Sequence, residues 1–218
     1  YIIKKTVALL LYNGIKVFNS NGYKLGDREE ENIERCFIRE KTNEFPDIGR
    51  YSQDFNLMHE YRDFLISASK NSLKGLTIVL DCAHGASIRI APEVFRKLGA
   101  NVIASNSTDD GLKINKDCGA LYPENLARKV KRYNADMGFA FDGDADRIIA
   151  CTSNGQIIDG DLIIYAIAKY LKKIGKLKGN TAVGTSHTNM GIERALKENQ
   201  IDLIRTDIGD KYVLAKLL

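Results

Sequence analysis

From residue 75 onward, two kinds of apolar pattern alternate along the chain. Short runs with β-branched residues predict strands: LTIVLDC (76–82), ANVIAS (100–105), DMGFAF (136–141), NTAVGTS (180–186) and IDLIRTD (201–207). Between them lie stretches at helical spacing. IRIAPEVFRKLG (88–99) sets Ile90, Val94, Phe95 and Leu98 on one face and stops at Gly99. PENLARKVKRYN (123–134) opens on a proline, which suits a first turn. DLIIYAIAKYLKKIG (161–175) has an aspartate near its start and a glycine at its end. NMGIERALKEN (189–199) and KYVLAKLL (211–218) complete the helical set.

RIIACTSNGQIIDG (147–160) reads as a strand, an Asn154-Gly155 turn and a second strand. Strand–helix alternation implies parallel sheets covered by helices. The pause at 154–160 divides the series, so the expected class is α/β: two consecutive α/β units with mixed, mainly parallel sheets. Residues 26–72 differ, being charged and helical in parts (REEENIERCFIRE) without a clear strand pattern. The expected organisation is a leading remnant and linker over 1–50, a first α/β domain over 51–154 and a second, incomplete one over 155–218.

Composition narrows the partners. The 218 residues are 44% hydrophobic and 28% charged, an ordinary soluble balance. The net charge of +4 is spread along the chain, in places such as Lys129-Val130-Lys131-Arg132 and Lys172-Lys173, and there is no tryptophan to stack on bases. Nucleic acid is therefore a poor partner. No apolar run is long enough to span a bilayer, and no membrane partner is expected. Cys36, Cys82, Cys118 and Cys151 form no CxxC pair and have no histidine at zinc-ligand spacing. Cys82 and Cys151 end apolar runs, where a buried free thiol fits, and a reducing cytoplasm is the expected setting.

The chemistry concentrates in FAFDGDADRIIA (139–150), where Asp142, Asp144 and Asp146 follow an apolar strand on alternate positions. Carboxylates this close repel unless something positive sits among them. The residues between the acids are tiny: Gly143 lets the chain take a positive φ and Ala145 adds no bulk, so the three side chains can converge. Mg²⁺ commonly takes a few carboxylates plus substrate phosphate, and the adjacent Arg147 is a planar donor suited to phosphate. The strand end is also where open α/β sheets place ligands. A solvated acidic turn is the other reading. An EF-hand loop is excluded, because its sixth and twelfth positions would be Arg147 and Ser153. A dehalogenase-type phosphatase motif is weakened by Asp146, where Thr or Val would stand.

With these residues in view, FAFDGDADR resembles the metal-binding loop of the α-D-phosphohexomutases. DCAHGASIRIAPEVFRKLGANVI, DDGLKINKDCGALYPENL, GTSHTNMGIERAL and RTDIGDKYVL resemble flanking segments of the bacterial members that act on an amino-sugar phosphate. YNGIKVFNSNGYKL resembles the stretch just after the family's active-site loop. The likeness covers nearly the whole chain. It implies the end of domain 1, domain 2 and most of domain 3 of a four-domain enzyme. Such enzymes interconvert, in this branch, glucosamine 6-phosphate and glucosamine 1-phosphate through a phosphoserine and a bisphosphate intermediate, for UDP-N-acetylglucosamine synthesis. The resemblance implies Mg²⁺ as cofactor on Asp142, Asp144 and Asp146, with Arg147 on the phosphoryl group. It implies Lys16 near that group as an acid or base, where a solvated strand lysine is the plain alternative. Asp210 and Lys211 match a sugar-facing loop, although a helix start explains them nearly as well. A sugar phosphate and a bisphosphate activator are the implied partners, and relatives are often dimers. His59, His84 and His187 are read as structural or solvated. Glucose- or mannose-directed members, a Mg²⁺-dependent phosphatase and a non-catalytic binding fragment are the alternatives.

The likeness fails at one place. The family's nucleophilic serine precedes NGIK, but TVALLL stands before Tyr12 and no serine precedes Ser20. The family's later sugar-reading loop and fourth domain find no counterpart either. The expectation is either part of a longer mutase or a truncated product. The 218 residues alone are expected not to turn over.

Overall fold

A computed structural model describes the backbone of residues 2–9, 12–38 and 56–218, and the side chains of 17–36 and 56–218. Strands β1 (Ile2–Leu9) and β2 (Tyr12–Phe18) pair antiparallel. A turn at Asn19–Gly22 follows, in which the Asn19 side chain accepts from the backbone N–H of Asn21 and Tyr23. Helices α1 (Asp27–Ile38) and α2 (Asn56–Ala68) precede the α/β series.

That series runs β3 (Thr77–Asp81), α3 (Ser87–Lys97), β4 (Asn101–Ser105), α4 (Pro123–Arg132), β5 (Met137–Phe141), β6 (Ile148–Thr152) and β7 (Ile157–Ile158). The five strands form one sheet in the order β4-β3-β5-β6-β7. β4, β3 and β5 are parallel, and the β5–β6 and β6–β7 pairs are antiparallel. β7 thus carries the first sheet past residue 154, where the sequence pattern suggested a boundary. Two 3₁₀ turns, Gly111–Lys113 and Gly119–Leu121, fill a loop to which the periodicity gave no element.

The central strand shows why this is a two-sided sheet. Ile78 and Leu80 face one way, into a cluster with Cys82, Ile88, Ala91, Phe95 and Phe139. Val79 faces the other, against Leu126, Val130, Ala140 and Cys151. Helix α3 therefore covers one face and α4 the other, as parallel strands require. Each buried Leu or Ile contributes about 1.5–3 kcal/mol to this core. Gly138 lets α4 approach β5: a Cβ there would lie 2.6 Å from Val130 and 2.8 Å from Leu126.

A second unit follows: α5 (Gly160–Lys173), β8 (Thr181–Thr185), α6 (Met190–Glu198), β9 (Asp202–Thr206) and α7 (Asp210–Leu217). Asp159 caps α5 by accepting from the N–H of Leu162, and Asn189 caps α6 by accepting from Gly191. β8 and β9 pair in parallel over a core of Ala168, Ala182, Leu196 and Ile201. The chain is α/β, with two consecutive α/β units. Among the described residues, no helix is long and apolar enough to cross a membrane.

Candidate metal centre

The first sheet runs outward from β3 to β4, then back across β3 to β5. The C-terminal ends of β3 and β5 frame that reversal, the place where open α/β sheets bind ligands. Three loops meet there: 82–86 after β3, 106–122 after β4 and 142–147 after β5.

The last of these is the aspartate loop. It closes the β5–β6 hairpin, and Ala145 takes a left-handed backbone, φ 60°. The Asp142 carboxylate accepts from the Arg147 backbone N–H at 3.0 Å and from its Nε at 3.1 Å. Asp146 lies 3.8 Å from the same Nε. Carboxylate oxygens of Asp142, Asp144 and Asp146 all fall within 4.8 Å of one another. The Asp142 side chain is 4% exposed, whereas that of Arg147 is 70% exposed. Burial pushes the Asp142 carboxyl above the usual range, and the charges of Asp146 and Asp144 push it further; its bond from the Arg147 N–H works the other way.

This donor set fits a hard divalent cation. It consists of carboxylate oxygens alone, and the repulsion that raises Asp142 is what a bound cation would relieve. Arg147 uses Nε toward Asp142, which leaves its two terminal nitrogens for an anion beside the cation.

The loop is fixed by backbone contact more than by charge. Gly143 O accepts from the N–H of Ala86 at 2.8 Å. A Cβ on Gly85 would sit 2.2 Å from that same oxygen, and one on Gly143 would meet Asn115 and Ile114 at 2.7 and 2.9 Å. Neither glycine needs a positive φ; both are required by close approach.

The structure brings Asp142, Asp144, Asp146 and Arg147 together, and it places Asp210 and Lys211 in a different kind of cluster. The Lys211 ammonium donates to Asp27 at 2.5 Å and to Glu30 at 2.7 Å, and Asp210 pairs with Lys24 at 2.5 Å. Tyr212 donates its hydroxyl to Asp27 at 3.1 Å. Lys16 lies on β2 opposite Lys4, and its side chain falls outside the described residues. His84 is half-buried with Nδ1 held by Thr108, His187 is exposed, and His59 Nδ1 lies 3.0 Å from Arg62.

Two residues escaped the sequence reading. Asp81, which ends β3, is fully buried between the 82–86 and 106–122 loops. Its signal was a lone acid closing an apolar run. Arg205 ties the loop after β8 together, donating to the carbonyls of Thr185 and Thr188 and to Glu193. Nothing in its spacing set it apart from a solvated strand arginine.

Comparison with known proteins fixes the class. Residues 59–155 match the α/β/α domain II of phosphoglucomutase/phosphomannomutase, and residues 159–218 match domain III. The chain belongs to the phosphoglucomutase/phosphomannomutase family.

Within that family, several of its similar curated relatives carry the name phosphoglucosamine mutase. It is 48% identical over 210 residues to a phosphoglucosamine mutase of Caldanaerobacter subterraneus subsp. tengcongensis, and 44% identical over 211 residues to one of Dictyoglomus turgidum. In each case 95% of this chain and 47% of the relative are covered, so the chain spans about half the length of the curated relatives it matches. A family member from Burkholderia thailandensis shares the fold with a TM-score of 0.80 at 22% identity, over 99% of this chain and 46% of that one.

Proposed function

We propose that this chain carries the cation-binding part, and a portion of the sugar-phosphate-binding part, of a phosphoglucosamine mutase. The reaction is the interconversion of glucosamine 6-phosphate and glucosamine 1-phosphate through a phosphoserine and a bisphosphate. The observation that carries the reading is the convergence of Asp142, Asp144 and Asp146 within 4.8 Å beside Arg147. The names of the curated relatives support the amino sugar.

Phosphoryl transfer needs positioning and charge neutralisation more than covalent help from the protein. Mg²⁺, when bound, supplies neutralisation at the phosphoryl oxygens. The three carboxylates hold the cation, and Asp142 anchors Arg147 through Nε so that its terminal nitrogens face the phosphoryl group. Lys16 is assigned as acid or base. Asp210 and Lys211 reach the sugar only after leaving Lys24, Asp27 and Glu30, so sugar binding is coupled to opening of that contact.

Calorimetric titration tests this. The chain is expected to bind one Mg²⁺, and Mg²⁺ is expected to tighten the binding of glucosamine 6-phosphate and of glucose 6-phosphate alike. Release of inorganic phosphate from either sugar would favour the phosphatase reading. Absence of any Mg²⁺ binding would remove the metal centre.

A further inference from the structure

We propose that Asp81 is a positioning residue that sets the aspartate loop in its cation-binding shape without touching the cation. The proposal rests on the metal reading above and adds a residue to it. Asp81 closes β3 with a fully buried carboxylate whose bonds reach the 82–86 loop, the 106–122 loop and helix α4. Its Oδ1 accepts from the N–H of Ala83 and from that of Gly119, both at 3.1 Å. Its Oδ2 accepts from Asn106 Nδ2 at 2.6 Å and lies 3.6 Å from the Lys129 ammonium. Lys129 is itself held by the Ser105 hydroxyl at 2.9 Å.

These bonds hold a costly backbone. Ala83 and His84 both sit in the left-handed region, at φ 50° and 51°. Two consecutive non-glycine residues there relax unless their surroundings hold them. Asp81 holds the first through its N–H; the carbonyl of Asn106, whose side chain Asp81 also binds, holds the second at 2.6 Å.

The path to the metal ligands is then short. The left-handed pair turns the chain so that Gly85 lies against Gly143 O and Ala86 donates to it. Gly119, fixed by Asp81, approaches the carbonyl of Phe141: a Cβ there would be 2.4 Å away, and 2.6 Å from the Ala83 Cβ. Phe141 and Gly143 flank Asp142, and Gly143 also precedes Asp144. One buried carboxylate thus braces the aspartate loop from two sides.

Asp81→Asn tests this, because neither orientation of the amide satisfies the site. Its nitrogen must face either the two backbone N–H groups or the Lys129 ammonium. The variant and the wild type are compared without metal by amide NMR and then titrated with Mn²⁺, well below the melting temperature. The expected result is amide shifts concentrated in 83–86, 119 and 141–146, with Mn²⁺ affinity lowered about tenfold, the lower end of what loss of a supporting group costs a metal site. A purely structural role would lower the melting temperature and move the directly bonded amides of 83 and 119 while leaving 141–146 and the Mn²⁺ affinity unmoved, and that result overturns the proposal. Should Asp81→Asn not fold, Asn106→Gly keeps the left-handed backbone of Asn106 and removes only the donor to Oδ2. The same amides are then expected to move, with affinity lowered about threefold, and unchanged amides overturn the proposal. Wild-type protein that binds no Mn²⁺ would refute the metal reading, and the metal-free amide comparison would still decide whether Asp81 sets the loop.

Discussion

Two regions of this molecule gather charge, and they do so on opposite terms. The aspartate loop packs three carboxylates around one arginine, with the Asp142 side chain 4% exposed. The contact between residues 24–30 and 210–212 sets two lysines among three acids, and the Asp27 and Asp210 side chains are 63% and 62% exposed. In the first, backbone contacts from Gly85 and Ala86 and the Asn115 side chain hold like charges together despite their repulsion. In the second, each ammonium has found its carboxylate and the charges themselves make the contact. A partly buried imbalance held by the backbone calls for a ligand, whereas a matched exposed set explains itself as a contact.

The strongest way to break the contrast is to remove a charge from the loop. Asp144→Asn is expected to lower Mg²⁺ affinity about a hundredfold or more, since a ligand matters at least as much as the groups that support one. In metal-free protein the same change relieves repulsion on Asp142, so the melting temperature is expected to hold or rise. Added Mg²⁺ is expected to raise the melting temperature of the wild type and not of the variant. A variant that loses stability without Mg²⁺ would mean the carboxylates are paired structurally, and the contrast would collapse.

The next effect tests the claim that backbone contact holds the loop. Gly85→Ala directs a Cβ to 2.2 Å from Gly143 O, and a backbone oxygen cannot step aside as a flexible side chain would. Overpacking of this kind costs about 1–3 kcal/mol. That corresponds to a melting temperature lower by about 3–10 °C for a chain of this size. Mg²⁺ affinity is expected to fall with it, because the displaced atom lies between Asp142 and Asp144. Unchanged affinity would show that the loop holds its shape without the brace from residues 82–86.

The contrast also marks what the sequence made legible. The strands and helices from 75 onward were readable because their periods are local, and so was the loop, because Asp142, Asp144 and Asp146 are neighbours along the chain. Gly143 and Ala145 announced the convergence by their size. Asp210 and Lys211 were a different matter. Their partners Lys24, Asp27 and Glu30 lie more than 180 positions away, and no spacing rule reports such a pairing. Asp81 was hidden for a related reason: its partners at 83, 106, 119 and 129 converge only once the sheet has formed. β7 was legible as the second strand after the Asn154-Gly155 turn, and its pairing with β6 keeps it on the first sheet, beyond the pause at which the series was divided.

On the other side of the contrast, the 24–30 contact should yield little when broken. Lys211→Met removes the ammonium from Asp27 and Glu30 while keeping much of the stem that lines the apolar cavity with Phe18, Leu25 and Leu214. Exposed pairs contribute little, so a melting temperature lower by about 2 °C at most is expected, with Mg²⁺ affinity unchanged. A large loss would place this contact among the principal supports of the fold, and it would then be a poor candidate to open for a sugar.

The smallest effect is the most diagnostic of mechanism, because charge and packing respond differently to pH and salt. The hydrogen bond from Lys211, then that from Tyr212, holds the Asp27 carboxyl below its ordinary value of 3.8. A lowered folded-state value means that this contribution is present above the unfolded value and lost as pH falls through the folded one. The bonds to Asp27 and Glu30 raise Lys211 above its ordinary 10.5, so its contribution is complete below that value and lost only as pH rises through the raised one. The difference in melting temperature between wild type and Lys211→Met should therefore be flat from about pH 5 to pH 9. Below Asp27's ordinary 3.8 it should shrink toward zero. Molar salt, with a Debye length of about 3 Å, should shrink it at neutral pH as well. A difference that survives both acid and salt would mean that apolar contact with Tyr212 and Leu214 holds the two segments together. The matched charges would then be a consequence of the contact and not its cause.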